Sequence, residues 1–108
     1  MLTKFSDLEN KSVLITGGGS GIGAEITKAF IQQGAKVSFV QRTDAEHFCD
    51  KVEAEFHSRP YFIKCDVTDL SELKKAVESA ISVYGDIDIL VNNAANDHRH
   101  ETLNVTEE

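Results

Sequence analysis

Short apolar runs alternate with amphipathic stretches along most of the chain. Ser12 to Thr16 (SVLIT) is a short apolar run that ends in glycines, which predicts a buried strand. Ile22, Ile26, Ala29 and Phe30 then recur at helical spacing, and Gly34 is placed to stop that helix. Lys36 to Gln41 (KVSFVQ) predicts a second strand. Thr43 followed by Glu46 has the spacing of a capping box, and Phe48, Val52 and Phe56 form the apolar stripe of the helix behind it. Pro60 ends this connection, and Tyr61 to Cys65 (YFIKC) reads as a third strand. Asp69 and Glu72 open another helix, with Leu70, Leu73, Val77, Ile81 and Tyr84 expected to face inward and Gly85 to terminate it. Asp88 to Asn92 (DILVN) reads as a fourth strand, and Ala95 to Glu108 is polar with no clear stripe. This βαβαβαβ alternation predicts a parallel sheet covered on both faces. Right-handed crossovers leave few topologies, and the doubly wound strand order 3-2-1-4 is the expected one. Residues 1–108 read as one domain, with no internal repeat and no linker.

Composition narrows the partners. Of 108 residues, 41% are hydrophobic, enough for a core in a chain of this size. The formal charge is −7, and an acidic chain is repelled by phosphate backbones and anionic lipid. Nucleic acid and membrane are therefore not expected as partners. No apolar run approaches a membrane span, and Met1 to Lys11 has no signal-peptide core. Cys49 and Cys65 lie far apart and form no CxxC, which suits reduced, buried thiols in a cytoplasmic protein. His47 and His57 fall on a helix and its end, where surface positions are expected.

Thr16 to Gly23 reads TGGGSGIG, between the first strand and the first helix. A diphosphate binds where bare amides and partial positive charge meet, at a helix N-terminus. Side chains at Gly17, Gly21 or Gly23 would block its approach, or block the helix from packing on the strand. A flexible linker of similar composition joins domains, whereas this segment joins a strand to a helix within one repeat.

With its Thr-Gly-x-x-x-Gly-x-Gly loop, Cys65-Asp66-Val67 after the third strand and Asn92-Asn93-Ala94-Ala95 after the fourth, the chain resembles the short-chain dehydrogenase/reductase family. The family has Asn-Asn-Ala-Gly at the last of these places. The resemblance implies an α/β Rossmann-type doubly wound parallel sheet, truncated after four strands, and the NAD(P)-binding front of a longer oxidoreductase. It implies that Gly17, Ser20, Gly21, Ile22 and Gly23 wrap the pyrophosphate. Asp66 would accept from the adenine amino group, with the Val67 backbone beside it. Asn93 and Ala94 would line the ribose side, and Asn92 would hold the central strands together. The alternative makes Asp66, Asn92 and Asn93 turn residues only.

NAD and NADP part company at the end of the second strand. An acidic residue there bonds the ribose 2′-hydroxyl of NAD and repels the extra phosphate of NADP. This chain has Gln41 and then Arg42. Arg42 either pairs with a 2′-phosphate as a charge-assisted fork or is a solvated surface charge. Asp44 is expected in the first turn of the next helix. Ser20 argues the other way, since NADP-preferring relatives often carry a basic residue at that loop position. The balance leans to NADP over NAD.

The resemblance also implies a catalytic Tyr-x-x-x-Lys pair and an upstream Ser. Here Tyr61 is followed four residues later by Cys65, and Tyr84 by Asp88. The catalytic segment is thus expected after Glu108, and the chain alone is expected to be inactive. Its fourth strand, Ile89 to Val91, is expected to be an exposed apolar edge, with poor solubility and weak cofactor binding as consequences. Asn93 to His100 reads NAANDHRH and resembles dehydrogenases that oxidise the anomeric hydroxyl of xylose, arabinose or rhamnose. Asn96, Asp97, Arg99 and His100 suit a polyhydroxylated sugar, the alternative being a solvated loop. A metal site on Asp97, His98 and His100 is not expected, for want of further ligands. The resemblance also implies a homo-oligomer for the full-length parent. Two other functions stay open: a non-catalytic nucleotide-binding or protein-interaction module, and a fragment of a general carbonyl or 3-oxoacyl reductase.

Overall fold

The computed structural model describes residues 6–19, 21–93 and 104–107. After a 3-10 turn at Ser6–Leu8 come β1 (Ser12–Thr16), α1 (Gly21–Gln32), β2 (Lys36–Gln41), α2 (Glu46–Phe56) and β3 (Tyr61–Lys64). α3 (Leu70–Tyr84), β4 (Ile89–Asn92) and β5 (Asn104–Glu107) follow. The sheet order is β3-β2-β1-β4-β5. The first four strands are parallel in the expected 3-2-1-4 arrangement, with Ile15 beside both Phe39 and Val91.

Strand alternation sends side chains to two cores. Val13, Ile15, Val37, Phe39 and Val91 face α1 and α2, joining Ile31, Cys49 and Val52. Leu14 and Val40 face the other way, joining Ala76 and Ala80 of α3. All five residues of β1 are buried, as a central strand covered on both faces requires. Phe39 packs edge-on to Phe48, with ring centres 5.8 Å apart, and against Phe62 at 5.2 Å. Tyr61 and Tyr84 meet edge to face at 6.4 Å, so both tyrosines serve packing.

Several local expectations are corrected. The buried face of α1 is Gly23, Thr27 and Ile31, flanked by Ile26 and Phe30; Ile22 is 67% exposed and Ala29 is exposed. Gly23 sets this rotation, because only its bare face fits against the Gly17 carbonyl. α3 likewise rests on Ala76 and Ala80, leaving Leu70 79% exposed and Ile81 partly so. Small residues let a helix approach the sheet, and the larger ones flank the contact. The capping box does not form: α2 begins after Ala45 with no side-chain cap, and the Thr43 hydroxyl accepts from Gln41 instead. Asp44 therefore precedes α2 and is exposed. The expected cap of α3 does form, with the Asp69 carboxylate accepting from the Ser71 and Glu72 amides. Gly85 closes that helix at φ 84°, its amide donating to the Ile81 carbonyl.

The fourth strand is not left as an edge. β5 pairs antiparallel with it, Leu90 beside Thr106, so a strand from the polar tail covers the backbone groups expected to be open. On the α3 side, Leu14, Val77, Ile81, Ile87 and Leu90 line an open apolar groove.

Candidate functional site

The carboxyl ends of β1, β2 and β4 converge on the glycine loop. β1 leaves the sheet at Thr16, and Gly17 turns with φ 72°, a conformation suited to glycine. The Gly17 amide donates to the Val40 carbonyl at 2.6 Å. Its carbonyl accepts from the Asn93 side-chain amide at 3.1 Å. A Cβ on Gly23 would overlap that carbonyl and press on Asn93. Glycine at 23 is thus required by the closeness of helix to loop. Gly21 differs: it opens α1 with φ 55°, and nothing lies within 4 Å of where its Cβ would be. The space beside Gly21 is open on its Cβ side, and the first amides of a helix have no carbonyl one turn earlier to bond.

Further loop contacts lay outside the sequence reading. The Thr27 hydroxyl, fully buried, donates to the Gly18 carbonyl at 2.9 Å. A Cβ on Gly18 would strike Phe39 and Thr27. The Gly19 amide donates to the Gln41 side-chain oxygen at 2.9 Å. The only sequence signal for these contacts was the run of three glycines itself. At the next strand, the Thr16 hydroxyl donates to the Asn92 side-chain oxygen at 3.1 Å, tying β1 to β4. The Asp88 carboxylate accepts from the Ser12 amide at 2.8 Å and repeats that tie at the far end of the same strands.

The adenine-side candidates sit at the ends of β2 and β3. Asp66 takes both the Thr68 hydroxyl (2.6 Å) and the Thr68 amide (2.9 Å) on one carboxylate oxygen, an Asx turn. The Thr68 hydroxyl, then its amide, hold the Asp66 carboxyl below the usual carboxylate range, and the charge of Arg42 adds to the effect. Asp66 therefore stays an ionised acceptor at neutral pH. Val67 packs against the core beneath α3. Arg42 is exposed, and Gln41 is half-buried with its amide tied to Gly19 and Thr43. Asn93 is 7% exposed, its amide held by the loop carbonyl. The structure thus brings Gly17, Gly21, Gly23 and Asn93 into direct contact or sequence continuity, and sets Gln41 against the same loop. Ser20, Ala94, Asn96, Asp97, His98, Arg99 and His100 lie outside the described residues.

Neither thiol belongs to this site. Burial pushes the Cys49 thiol up to about 11, and burial raises Cys65 as well. Both are free, buried and poorly suited to nucleophilic work at neutral pH. Arg59 is bound at the surface by Asp50, Glu46 and Glu53 and clamps α2 to the approach to β3. Among the described residues, no helix is long and apolar enough to cross a membrane.

A parallel doubly wound sheet with a glycine loop opening a helix at its carboxyl edge is a Rossmann-type dinucleotide-binding architecture. The short chain dehydrogenase family profile matches residues 11–108. The chain belongs to that family. It is 42% identical over 108 residues to a probable galactose dehydrogenase of Rhizobium meliloti, covering 98% of this chain and 42% of that protein. It is 41% identical over 105 residues to a D-xylose 1-dehydrogenase of Caulobacter vibrioides, covering 94% of this chain and 40% of that protein. Among solved structures, L-sorbose reductase from Gluconobacter frateurii in complex with NADPH and L-sorbose superposes with a TM-score of 0.73 at 33% identity. That match covers 79% of this chain and 33% of the reductase. An NADH-dependent reductase in complex with NAD gives 0.71 at 29% identity, over 81% of this chain and 37% of its own. The chain spans well under half the length of these relatives.

Proposed function

We propose that residues 1–108 form the NAD(P)-binding domain at the front of a longer cytoplasmic oxidoreductase. The parent would transfer hydride between a nicotinamide cofactor and a sugar or related alcohol or carbonyl. The observation that carries this reading is the glycine loop. Gly23 is packed under the Gly17 carbonyl, and Gly21, with nothing crowding its Cβ side, opens α1 at the sheet's carboxyl edge. Amides and the helix dipole together favour an anionic diphosphate there.

In this reading Gly17, Ser20, Gly21, Ile22 and Gly23 surround the pyrophosphate. Asp66 and Val67 meet the adenine, and Asn93 and Ala94 bound the ribose side. A bound nicotinamide would accept or supply the hydride; the residues of this chain bind and orient it. Arg42 beside a neutral Gln41 favours a 2′-phosphate, hence NADP over NAD. The names of the two sugar dehydrogenases support a sugar substrate for the parent. Tyr61 and Tyr84 pack on each other, and neither is followed by a lysine four residues on. The chain alone therefore binds cofactor without turnover, and a homo-oligomer belongs to the full-length parent. The want of a Tyr-x-x-x-Lys pair in these residues also supports a second reading, a nucleotide-binding module with no catalysis of its own.

Fluorescence titration of the chain with NADPH and NADH tests the proposal. NADPH is expected to bind more tightly, and Arg42→Ala to weaken NADPH by about tenfold, the scale of a charged hydrogen bond, with NADH little changed. Absence of binding by either cofactor overturns the nucleotide reading. Aldose oxidation by this chain overturns the claim that it lacks the catalytic groups.

A further inference from the structure

Gln41 ends β2 and reaches across two loops. Its side-chain oxygen accepts from the Gly19 amide at 2.9 Å. Its side-chain nitrogen donates to the Thr43 carbonyl at 3.0 Å and to the Thr43 hydroxyl at 3.1 Å. The partners fix the orientation of the amide: Gly19 offers a donor and the Thr43 carbonyl an acceptor, so a flipped amide would lose both bonds. The fit is close, since a Cβ on Gly19 would collide with the Gln41 amide. An aspartate at 41 would be one methylene shorter and could not donate to Thr43. A glutamate could still accept from Gly19 but could not donate to the Thr43 carbonyl.

We propose that Gln41 is a positioning residue for the nucleotide site. Its tie from Gly19 to Thr43 holds the glycine loop in the shape that receives a diphosphate, and it keeps the Gly19 amide from the ligand. This rests on the nucleotide-binding reading above. Gln41 then acts through the loop, not by touching the ribose, and the diphosphate falls to the amides at the start of α1. A loop of three consecutive glycines has more backbone freedom to lose on binding than any other sequence, so a brace that orders it beforehand raises affinity. The same brace constrains the backbone of Arg42, which lies between Gln41 and its Thr43 anchor.

The test compares the wild-type chain with Gln41→Met, Gln41→Glu and Thr43→Val. The readouts are calorimetric titration with ADP and amide hydrogen exchange at Gly19. ADP is chosen because it carries the diphosphate and lacks the 2′-phosphate and the nicotinamide. Gln41→Met is expected to weaken ADP about three- to tenfold, the scale of one or two neutral hydrogen bonds, and to speed exchange at Gly19. Gln41→Glu should restore slow exchange at Gly19 while leaving ADP binding below wild type. Thr43→Val, which keeps the carbonyl anchor and the fold, should fall between wild type and Gln41→Met. Wild-type affinity and wild-type exchange in Gln41→Met, with the melt unchanged, overturn the brace. Slow exchange at Gly19 that depends on Gln41, in a chain that binds neither ADP nor NADPH, overturns the nucleotide reading and the positioning role with it, leaving a purely structural tie.

Discussion

Position 23 lies where α1 crosses the Gly17 carbonyl, and even a methyl group there would overlap that oxygen. Gly23→Ala is expected to destabilise the chain by about 1–3 kcal/mol, as overpacking of a tight contact does. It should also weaken NADPH in a fluorescence titration, because the helix must back away from the loop. An unchanged melting temperature together with unchanged binding would show that α1 does not pack on the loop as described. The need for glycine at 17, 21 and 23 was legible from the spacing of the motif. The roles of Thr27 and Gln41 were not, since a buried threonine in a helix and a glutamine at a strand end carry no local signal. Asn93 illustrates the same limit. Its place in a strand-end motif was readable, but its bond to the Gly17 carbonyl joins residues 76 positions apart.

The helices differ in how their ends are held. α3 has the Asp69 side chain on two of its first amides, and Asp69→Ala is expected to cost about 1 kcal/mol in a urea unfolding curve. A loss near zero would mean that water replaces the cap without penalty. α2 has no such cap, and its surface clamp to Arg59 is solvent-exposed. The sequence pattern marked where α1, α2 and α3 begin and end to within a few residues. It placed Ile26, Phe30, Leu73 and Val77 against the core correctly but put Ile22, Ala29, Leu70 and Ile81 there too, because it weighed large apolar residues and the packing centred each helix on small ones. Gly23 on α1, and Ala76 and Ala80 on α3, make the close approach, while Ile22 and Leu70 are left outside.

The sheet as assembled has an antiparallel strand on its β4 side, contrary to the open edge expected from the four apolar runs. Removing residues 104–108 should leave one side of β4 without hydrogen-bonding partners. Such edges template association, so sedimentation velocity should show concentration-dependent oligomers in the shortened chain and fewer in the 108-residue chain. Equal behaviour of the two would show that β5 does not protect the edge. The groove beside α3, lined by Val77, Ile81 and Leu90, is a second apolar surface that no local pattern announced. It arises where α3 and the following β4 lie beside Leu14 of β1, a residue from the far end of the chain.

The identity of the four parallel strands and three helices, their alternation and the glycine turn were written in near-neighbour chemistry, whereas β5 was not: periodicity, caps and φ preferences act over a few residues and need no partner from afar. Parallel order followed as well, since alternating strands and helices with one handedness of crossover leave little choice. Helix rotation, the bracing of the glycine loop by Gln41 and Asn93, and the covering of β4 depended on contacts between distant segments. Those contacts come into being when the chain closes on itself, because shape and hydrogen-bond complementarity across the sheet select among faces that local pattern leaves nearly equivalent.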